Sequence, residues 1–317
     1  MIIGTRGSQL ALAQTENVAR LLKEQGVETS IKIIKTSGDR FTDRPLHAVS
    51  GGVGAFVREL DDVMLAGEVD IAVHSMKDMP TIRPPELPTA AVLKRDTPFD
   101  VLITYDGTTL DELPEQSIIG TSSLRRAAQI RRYRPDLITQ ELRGNIDTRL
   151  RKLKEGQYDG ILLAKAGFER MGWDLEGEIL SPGFFCPSPN QGTVAVVTRA
   201  GTEAEAAVSK LDHTESRIVT ELERILISEL GGGCTTPIGS YAELKPDKKE
   251  IHVLAEVLSL DGREVVRVEE SIPMIGGIER ARKLGHRLVE MGGKRLAEEA
   301  LLQISGDACG TEGSYDY

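Results

Sequence analysis

The chain has 317 residues, 40% hydrophobic, 28% charged and 4% aromatic. This composition argues for a globular body with two or three cores and against disorder. A net charge of -10 disfavours a general nucleic-acid binder, whose phosphate partner favours a basic surface. No apolar run approaches the roughly 18 residues of a membrane span, and the N-terminus MIIGTRGSQLALAQ lacks a charged-then-apolar leader. The cysteines Cys186, Cys234 and Cys309 show no CxxC spacing, so no zinc site or disulfide framework is indicated and a reducing, cytoplasmic setting is expected.

Helical and strand patterns alternate from the first residue. MIIGT is a short strand, and Ser8 follows as the cap of a helix carrying Leu12, Val18, Leu21 and Leu22. TSIKIIKT alternates as a strand. GAFVRELDDVMLAGE sets Phe56, Val57, Leu60, Val63 and Met64 on one helical face, and VDIAVHS is the next strand. The prolines of TIRPPELP interrupt this rhythm, and TAAVLKR and DVLITY bracket a crossing to a second set. That set contains SIIGTSS, the helix SLRRAAQIRRY, the strand LITQEL, the helix NIDTRLRKLKEG and the strand YDGILLAKA. A second proline-rich break, SPGFFCPSPNQG, precedes the strand TVAVVTR, so the middle unit is expected to be inserted into the first. From Thr214 an amphipathic helix runs into GGGCTTPIGS. EIHVLAEVLSL and REVVRVEESI then form an antiparallel hairpin around Asp261-Gly262, and a helix from about Gly277 to Gln303 closes the fold. The expected domains are 1–93 with 194–213, then 99–188, then 214–304, with 305–317 as a loose tail that includes Cys309.

Charge is concentrated in the middle unit. Between Thr121 and Lys154 ten basic residues face three acidic ones. Most are arginines, whose planar forks grip carboxylate or phosphate with paired hydrogen bonds. Arg131, Arg132, Arg134, Arg151, Lys152 and Lys154 are read as a solvated helix face. Arg125 and Arg126 follow GTSS at a strand-to-helix junction, Arg143 lies just past a strand end, and Arg149 is one turn into the next helix. These are positions where open α/β sheets bind anions and ligands. Arg6 leaves the first strand in the same way, and Ser8 is either a cap alone or a cap that also meets ligand. HSMKDMP ends another strand with Lys77 and Asp78 side by side. A carboxylate beside an arginine-rich cleft can stabilise a cation developing on a substrate, whereas His74 is assigned a structural role. SGGVGAF lacks a phosphate-loop lysine, and no GxGxxG, HExxH or paired-His metal spacing occurs.

Taken together, GTRGSQLALAQ, HSMKDMP, GTSSLRRAAQ, LRGNIDTRL and GGGCTTPIGSYAE resemble the porphobilinogen deaminase (hydroxymethylbilane synthase) family, in the family's order, from Ile3 to about Leu302. The resemblance implies an α/β fold of three domains, the first two similar to type II periplasmic binding proteins and the third a small α+β domain, with the active cleft between the first two. It implies a transferase of tetrapyrrole biosynthesis that deaminates four porphobilinogen molecules and condenses them head-to-tail onto a covalent dipyrromethane primer, then releases the linear tetrapyrrole by hydrolysis. By family match, Cys234 carries the primer through a thioether and Asp78 stabilises positive charge at the pyrrole nitrogens. Arg6, Arg125, Arg126, Arg143, Arg149 and Arg170 would bind the acetate and propionate arms, with Ser8, Lys77, Thr121, Ser122, Ser123, Gly144, Asn145 and Gln191 completing the substrate and cofactor site. No metal, nucleic acid or membrane partner is implied, and a monomer is expected.

Three positions depart from the usual pattern. Val53 stands where the family commonly has a lysine, Pro189-Asn190 replaces small residues before Gln191-Gly192, and Lys165 stands where a small apolar residue is typical. The Pro-Asn pair is expected to stiffen an interdomain strand, and Lys165 either replaces a lost basic contact or faces solvent. Two other readings stand beside the enzyme: a non-catalytic anion-binding protein on the same scaffold, which would require neither Cys234 nor Asp78, and a nucleic-acid binder using SLRRAAQIRRYRP, disfavoured by the absence of neighbouring aromatics.

Overall fold

The structure, a computed structural model, describes residues 1–34, 55–81, 83–230 and 236–309. Val53, Cys234 and residues 310–317 of the expected tail lie outside the described residues. In chain order, β1 (Ile2–Thr5), α1 (Gln9–Glu24), β2 (Ser30–Ile33), α2 (Ala55–Leu65), β3 (Ile71–Ser75) and β4 (Thr89–Val92) come first. A middle group follows: β5 (Asp100–Thr104), β6 (Ile118–Gly120), α3 (Leu124–Tyr133), β7 (Ile138–Gln140), α4 (Ile146–Lys154), β8 (Gly160–Ala164), α5 (Lys165–Glu169) and β9 (Glu178–Ile179). The chain then forms β10 (Val194–Thr198), α6 (Glu203–Val208), α7 (Thr214–Ile227), β11 (Ile238–Leu244), β12 (Glu250–Leu258), β13 (Val265–Pro273), α8 (Gly277–Glu290) and α9 (Gly293–Cys309).

Three sheets result, ordered β2-β1-β3-β10-β4, β7-β6-β8-β5-β9 and β11-β12-β13. In the first, β1 pairs in parallel with β2 and β3, whereas β10 returns antiparallel to β3 and β4. In the second, β6 is parallel to β7 and β8, and β5 runs antiparallel to β8. The third is wholly antiparallel. The fold is therefore mixed α/β with two five-stranded mixed sheets and a small antiparallel unit.

Period-two alternation explains why helices cover both faces of the mixed sheets. In β10, Val194 and Val196 pack with Ile3, Val18, Leu22, Ile71 and Val73 on one side, while Ala195 and Val197 meet Val57, Leu60, Met64 and Ala72 on the other. The second sheet divides likewise: Leu102, Ile119 and Leu162 face Ile130 and Leu137, while Val101, Ile103, Ile161 and Leu163 face Leu142, Leu153 and Phe168. In the third unit, Ile251, Val253, Ala255 and Val257 of β12 meet Leu222 and Leu226 of α7, Leu284 and Leu288 of α8, and Leu296 of α9.

Several expectations change. The closing helix is two helices, because Gly292 at φ +100° breaks the path after Met291; a left-handed residue ends a helix and glycine adopts it without penalty. α9 continues to Cys309, so residues 305–309, expected to be loose, are helical. The β12–β13 hairpin gains a third strand, β11, formed by Ile238–Leu244. Lys165 begins α5 rather than ending a strand. Arg131 and Arg132 are not a solvated face: Arg131 donates to the Leu260 carbonyl (2.6 Å), and Arg132 lies over the Phe184 ring, 4.5 Å from its centroid, near Glu256. They bind the β12–β13 turn to α3.

Gly262 in that turn has φ +75°, and a Cβ there would meet the Ala128 carbonyl at 2.5 Å and the Arg132 amide nitrogen at 2.8 Å. Gly107 has φ +83° but nothing within 4 Å. Alanine at either site carries the left-handed cost of about 1–2 kcal/mol. Gly262→Ala is expected to lose about 1–3 kcal/mol more than Gly107→Ala, through overpacking. Urea unfolding midpoints measure this difference, and equal losses would show that the hairpin can move off α3 without cost.

Candidate active site

The parallel strands of the first two sheets aim their C-terminal ends at one cavity of about 920 Å³, within the size range of ligand sites. From the first sheet, Arg6 and Ser8 follow β1, and Lys77 and Asp78 follow β3 on a short 3₁₀ turn, Met76–Asp78. Ser8 caps α1, accepting from the Ala11 amide at 3.3 Å, and it also lines the cavity. From the second sheet come Ser122 after β6, Arg126 on α3, Arg143, Gly144 and Asn145 between β7 and α4, Arg149 on α4, and Arg170 after α5. Gln191 reaches the cavity from the returning segment that precedes β10.

Two crossing segments join the lobes. The Asp96 amide donates to the Gly192 carbonyl (2.9 Å), and the Gln191 side-chain amide donates to the Pro98 carbonyl (2.7 Å) and to Asp100 (2.8 Å). Gly192 has φ +83°, and a Cβ would come 2.7 Å from the Asp96 carbonyl, so this close approach requires glycine.

Asp100, which the sequence reading did not single out, organises the arginine wall. Because β5 is antiparallel to β8, its first residue lies at the cavity end, opposite Ala164. Asp100 is 1% exposed and accepts from Arg126 Nε and Nη2 (3.1 and 2.7 Å), while Arg125 Nη1 lies 2.8 Å from its second oxygen. Burial acts to raise this carboxyl, but the two guanidiniums outweigh it and hold it well below the usual carboxylate range. Arg125 also donates to Gln129 and to the Cys186 carbonyl, and it does not line the cavity. Thr121 and Ser123 are likewise absent from the lining; Thr121 accepts from the Ser123 amide, and Ser123 accepts from the Arg126 amide as the cap of α3. These three expected contacts are thus set behind the wall, supporting Arg126. Cys186 is buried, and burial raises its thiol well above its ordinary value.

The remaining cations differ in how they are neutralised. Arg143 pairs with Glu141. Arg170 Nε donates to Asp96 at 2.7 Å, leaving Nη2 buried without a hydrogen-bond partner. Arg149 donates to the Gly144 carbonyl at 2.8 Å, and burial, reinforced by Arg126, pushes its guanidinium down to about 10. Burial also lowers the Lys77 ammonium, with Asp78 opposing the shift. Lys152 and Trp173, not expected in the site, line the cavity. Lys165 does not; it lies 3.9 Å from Glu169. His74 lines it too, with its ring buried.

Residues 1–207 match the family described as "Porphobilinogen deaminase, dipyromethane cofactor binding domain", and residues 218–292 match "Porphobilinogen deaminase, C-terminal domain". The chain belongs to the porphobilinogen deaminase family. A probable porphobilinogen deaminase of Methanosarcina acetivorans is 88% identical over 317 residues, covering both chains completely. One from Archaeoglobus fulgidus is 47% identical over 91% of this chain and 97% of its own. The porphobilinogen deaminase of Desulforamulus reducens is 43% identical over 94% of this chain and 96% of its own.

A porphobilinogen deaminase works on a dipyrromethane cofactor, and the cavity suits one chemically. Each pyrrole ring brings two carboxylates. Arg149, desolvated with a carbonyl partner, and Arg170, whose Nη2 has no hydrogen-bond partner, give the cavity donors of the kind that pair with carboxylates. Among the described residues, no group of three or more His, Cys, Asp or Glu side chains could hold a metal ion, and no helix is long and apolar enough to cross a membrane.

In this cavity His74 has an acid signature. Its Nε2 has no hydrogen-bond partner, and burial, reinforced by Arg83 and Arg6, pushes the imidazole down to about 3. The unfolded chain takes up a proton near its ordinary value of 6.5, which the folded chain cannot do. Stability attributable to His74 therefore falls as pH drops from about 6.5 towards 3, by at most roughly 1.4 kcal/mol per unit. His74→Gln is expected to flatten this part of the stability profile. An unchanged slope between pH 6.5 and 4.5 would show that His74 is protonated in the fold.

Proposed function

We propose that Asp78 is the catalytic carboxylate and that Cys234 carries the dipyrromethane through a thioether, with porphobilinogen as the substrate. The observation that carries this reading is that Asp78 and Lys77 share one cavity with Arg6, Arg126, Arg143, Arg149 and Arg170, drawn from both mixed sheets. When bound, the dipyrromethane supplies the primer on which pyrrole units accumulate.

Asp78, at the cavity face of its turn, accepts hydrogen bonds from pyrrole N–H groups and stabilises positive charge that develops beside them. Arg126 presents a fixed fork because Asp100 and the Leu162 carbonyl hold it. Arg149 and Arg170 exchange incomplete protein contacts for substrate carboxylates, and such charge-assisted bonds contribute about 1.5–3 kcal/mol each. Arg6, Arg143, Ser8, Ser122, Asn145 and Gln191 shape the rest of the pocket, and Arg125, Thr121 and Ser123 act through Arg126. The glycines around Cys234 suit a primer that must shift as the product lengthens. Division into 1–93 with 194–213, 99–188 and 214–304 is supported by the three sheets, because β10 rejoins the first sheet after the second is complete. One chain supplies both cavity walls, which supports a monomer.

Purified protein is expected to carry a two-pyrrole adduct in its intact mass, and Cys234→Ser to lack it; an unmodified wild type that still polymerises porphobilinogen would overturn the assignment. Asp78→Ala should leave the unfolding midpoint nearly unchanged and reduce kcat by about 10²–10³. Turnover within a few-fold of wild type would place the stabilising charge elsewhere.

A further inference from the structure

Behind the Asp78 turn lies an arrangement that the catalytic reading does not use. Arg224 is on α7, the helix that leads towards residues 231–235, and it does not line the cavity. Its Nη2 donates to the Met76 carbonyl (3.2 Å), and its Nη1 to the carbonyls of Pro80 (3.0 Å) and Thr81 (3.4 Å). These acceptors lie on both sides of Lys77 and Asp78. At the turn itself Ser75 makes no side-chain capping bond, the Met79 amide donates to the Met76 carbonyl at 3.2 Å, and the Met76 amide donates to the Thr193 carbonyl at 2.9 Å. A planar guanidinium can hold several carbonyls in one fixed geometry, and a lysine ammonium cannot.

Arg224 is itself oriented by Asn190, one of the two departures before Gln191. Asn190 is 2% exposed and has φ +61°, a left-handed conformation that asparagine tolerates better than most residues. Its Oδ1 accepts from Arg224 Nε at 2.7 Å, while its Nδ2 donates to the Thr220 carbonyl (2.8 Å) and to Glu223 (3.3 Å). Its backbone amide donates separately to Glu223 at 2.6 Å. The crossing segment, α7 and the Asp78 turn thus meet through one amide and one guanidinium.

We infer that Arg224, held by Asn190, is a positioning residue that sets the Met76–Asp78 turn. The inference rests on the reading of Asp78 given above. Asn190→Gly tests it selectively, because glycine accepts the left-handed conformation and keeps the amide bond to Glu223 while losing all three side-chain bonds. The variant is expected to fold, with kcat reduced on the order of tenfold to a hundredfold, KM within about twofold, and Arg224→Lys giving a similar loss. Amide hydrogen exchange over Met76–Met79 should quicken severalfold while that of β10 stays unchanged. In an Asp78→Asn background, adding Asn190→Gly should change kcat by less than about twofold, since the turn then has no carboxylate to position.

Unchanged exchange at the turn, a rise in KM at constant kcat, or losses that multiply in the Asp78→Asn background would each overturn the positioning role. Wild-type turnover by Asp78→Asn alone would instead overturn the reading on which it rests.

Discussion

The cavity depends on one buried carboxylate serving two arginines. Asp100 sits where the strand that opens the second lobe meets the crossing segments, and it contacts Arg125, Arg126 and Gln191 together. A desolvated guanidinium pair would repel strongly without it, and removing one partner of a buried ion pair typically costs about 3–5 kcal/mol. The same contact fixes Arg126 at the cavity face and joins the wall to the crossing segments. Arg125 completes the cluster from behind, bonded to Asp100 and the Cys186 carbonyl and outside the cavity lining.

Around this anchor the cavity holds cations in graded states of neutralisation. Arg143 has Glu141 and Arg170 has Asp96, whereas Arg149 has a carbonyl. A polycarboxylate bound here meets donors that are neither wholly occupied nor wholly unpartnered. That grading suits a chain of pyrroles that grows by units, because each added pair of carboxylates must find a partner without locking the earlier ones. Asp78 is the counterpoint: a carboxylate exposed to the cavity on a short turn, able to meet positive charge where the arginines meet negative charge.

The third unit holds both lobes. Glu223, fully buried on α7, accepts from Arg95 (2.6 Å), from the Asn190 amide and from the Ala242 amide (2.8 Å). Glu256, fully buried on β12, accepts from Gln129 of α3 at 2.8 Å and from Arg267 at 3.2 Å. Both carboxylates are surrounded by donors, as desolvated charges must be. The third unit is thereby tied to the arginine helix on one side and to the crossing segments on the other.

Much of this protein was legible in one dimension. Short apolar runs located the strands at Ile2–Thr5, Ile71–Ser75, Asp100–Thr104 and Val194–Thr198, and the cap at Ser8 marked a helix start. Strand ends followed by Arg6, Lys77-Asp78 and Arg143 pointed to a ligand cleft, because parallel strands direct such residues to one edge. Local pattern also misled where it lacked the partner: the paired glycines at 292–293 were not seen as a break, and Arg131 and Arg132 looked like solvent residues because the hairpin they hold lies about 130 positions away in the chain.

The sequence alone determined most of the strands and helices, their alternation and the family motifs, since these depend on neighbours within a few residues. Only the tertiary structure decided which of two adjacent arginines faces the cavity, that Asp100 neutralises both, and that Arg224, held by Asn190, reaches the Asp78 turn. Those outcomes depend on antiparallel β5 and β10 bringing distant residues to the same edge, and on burial, which makes each ionic contact consequential.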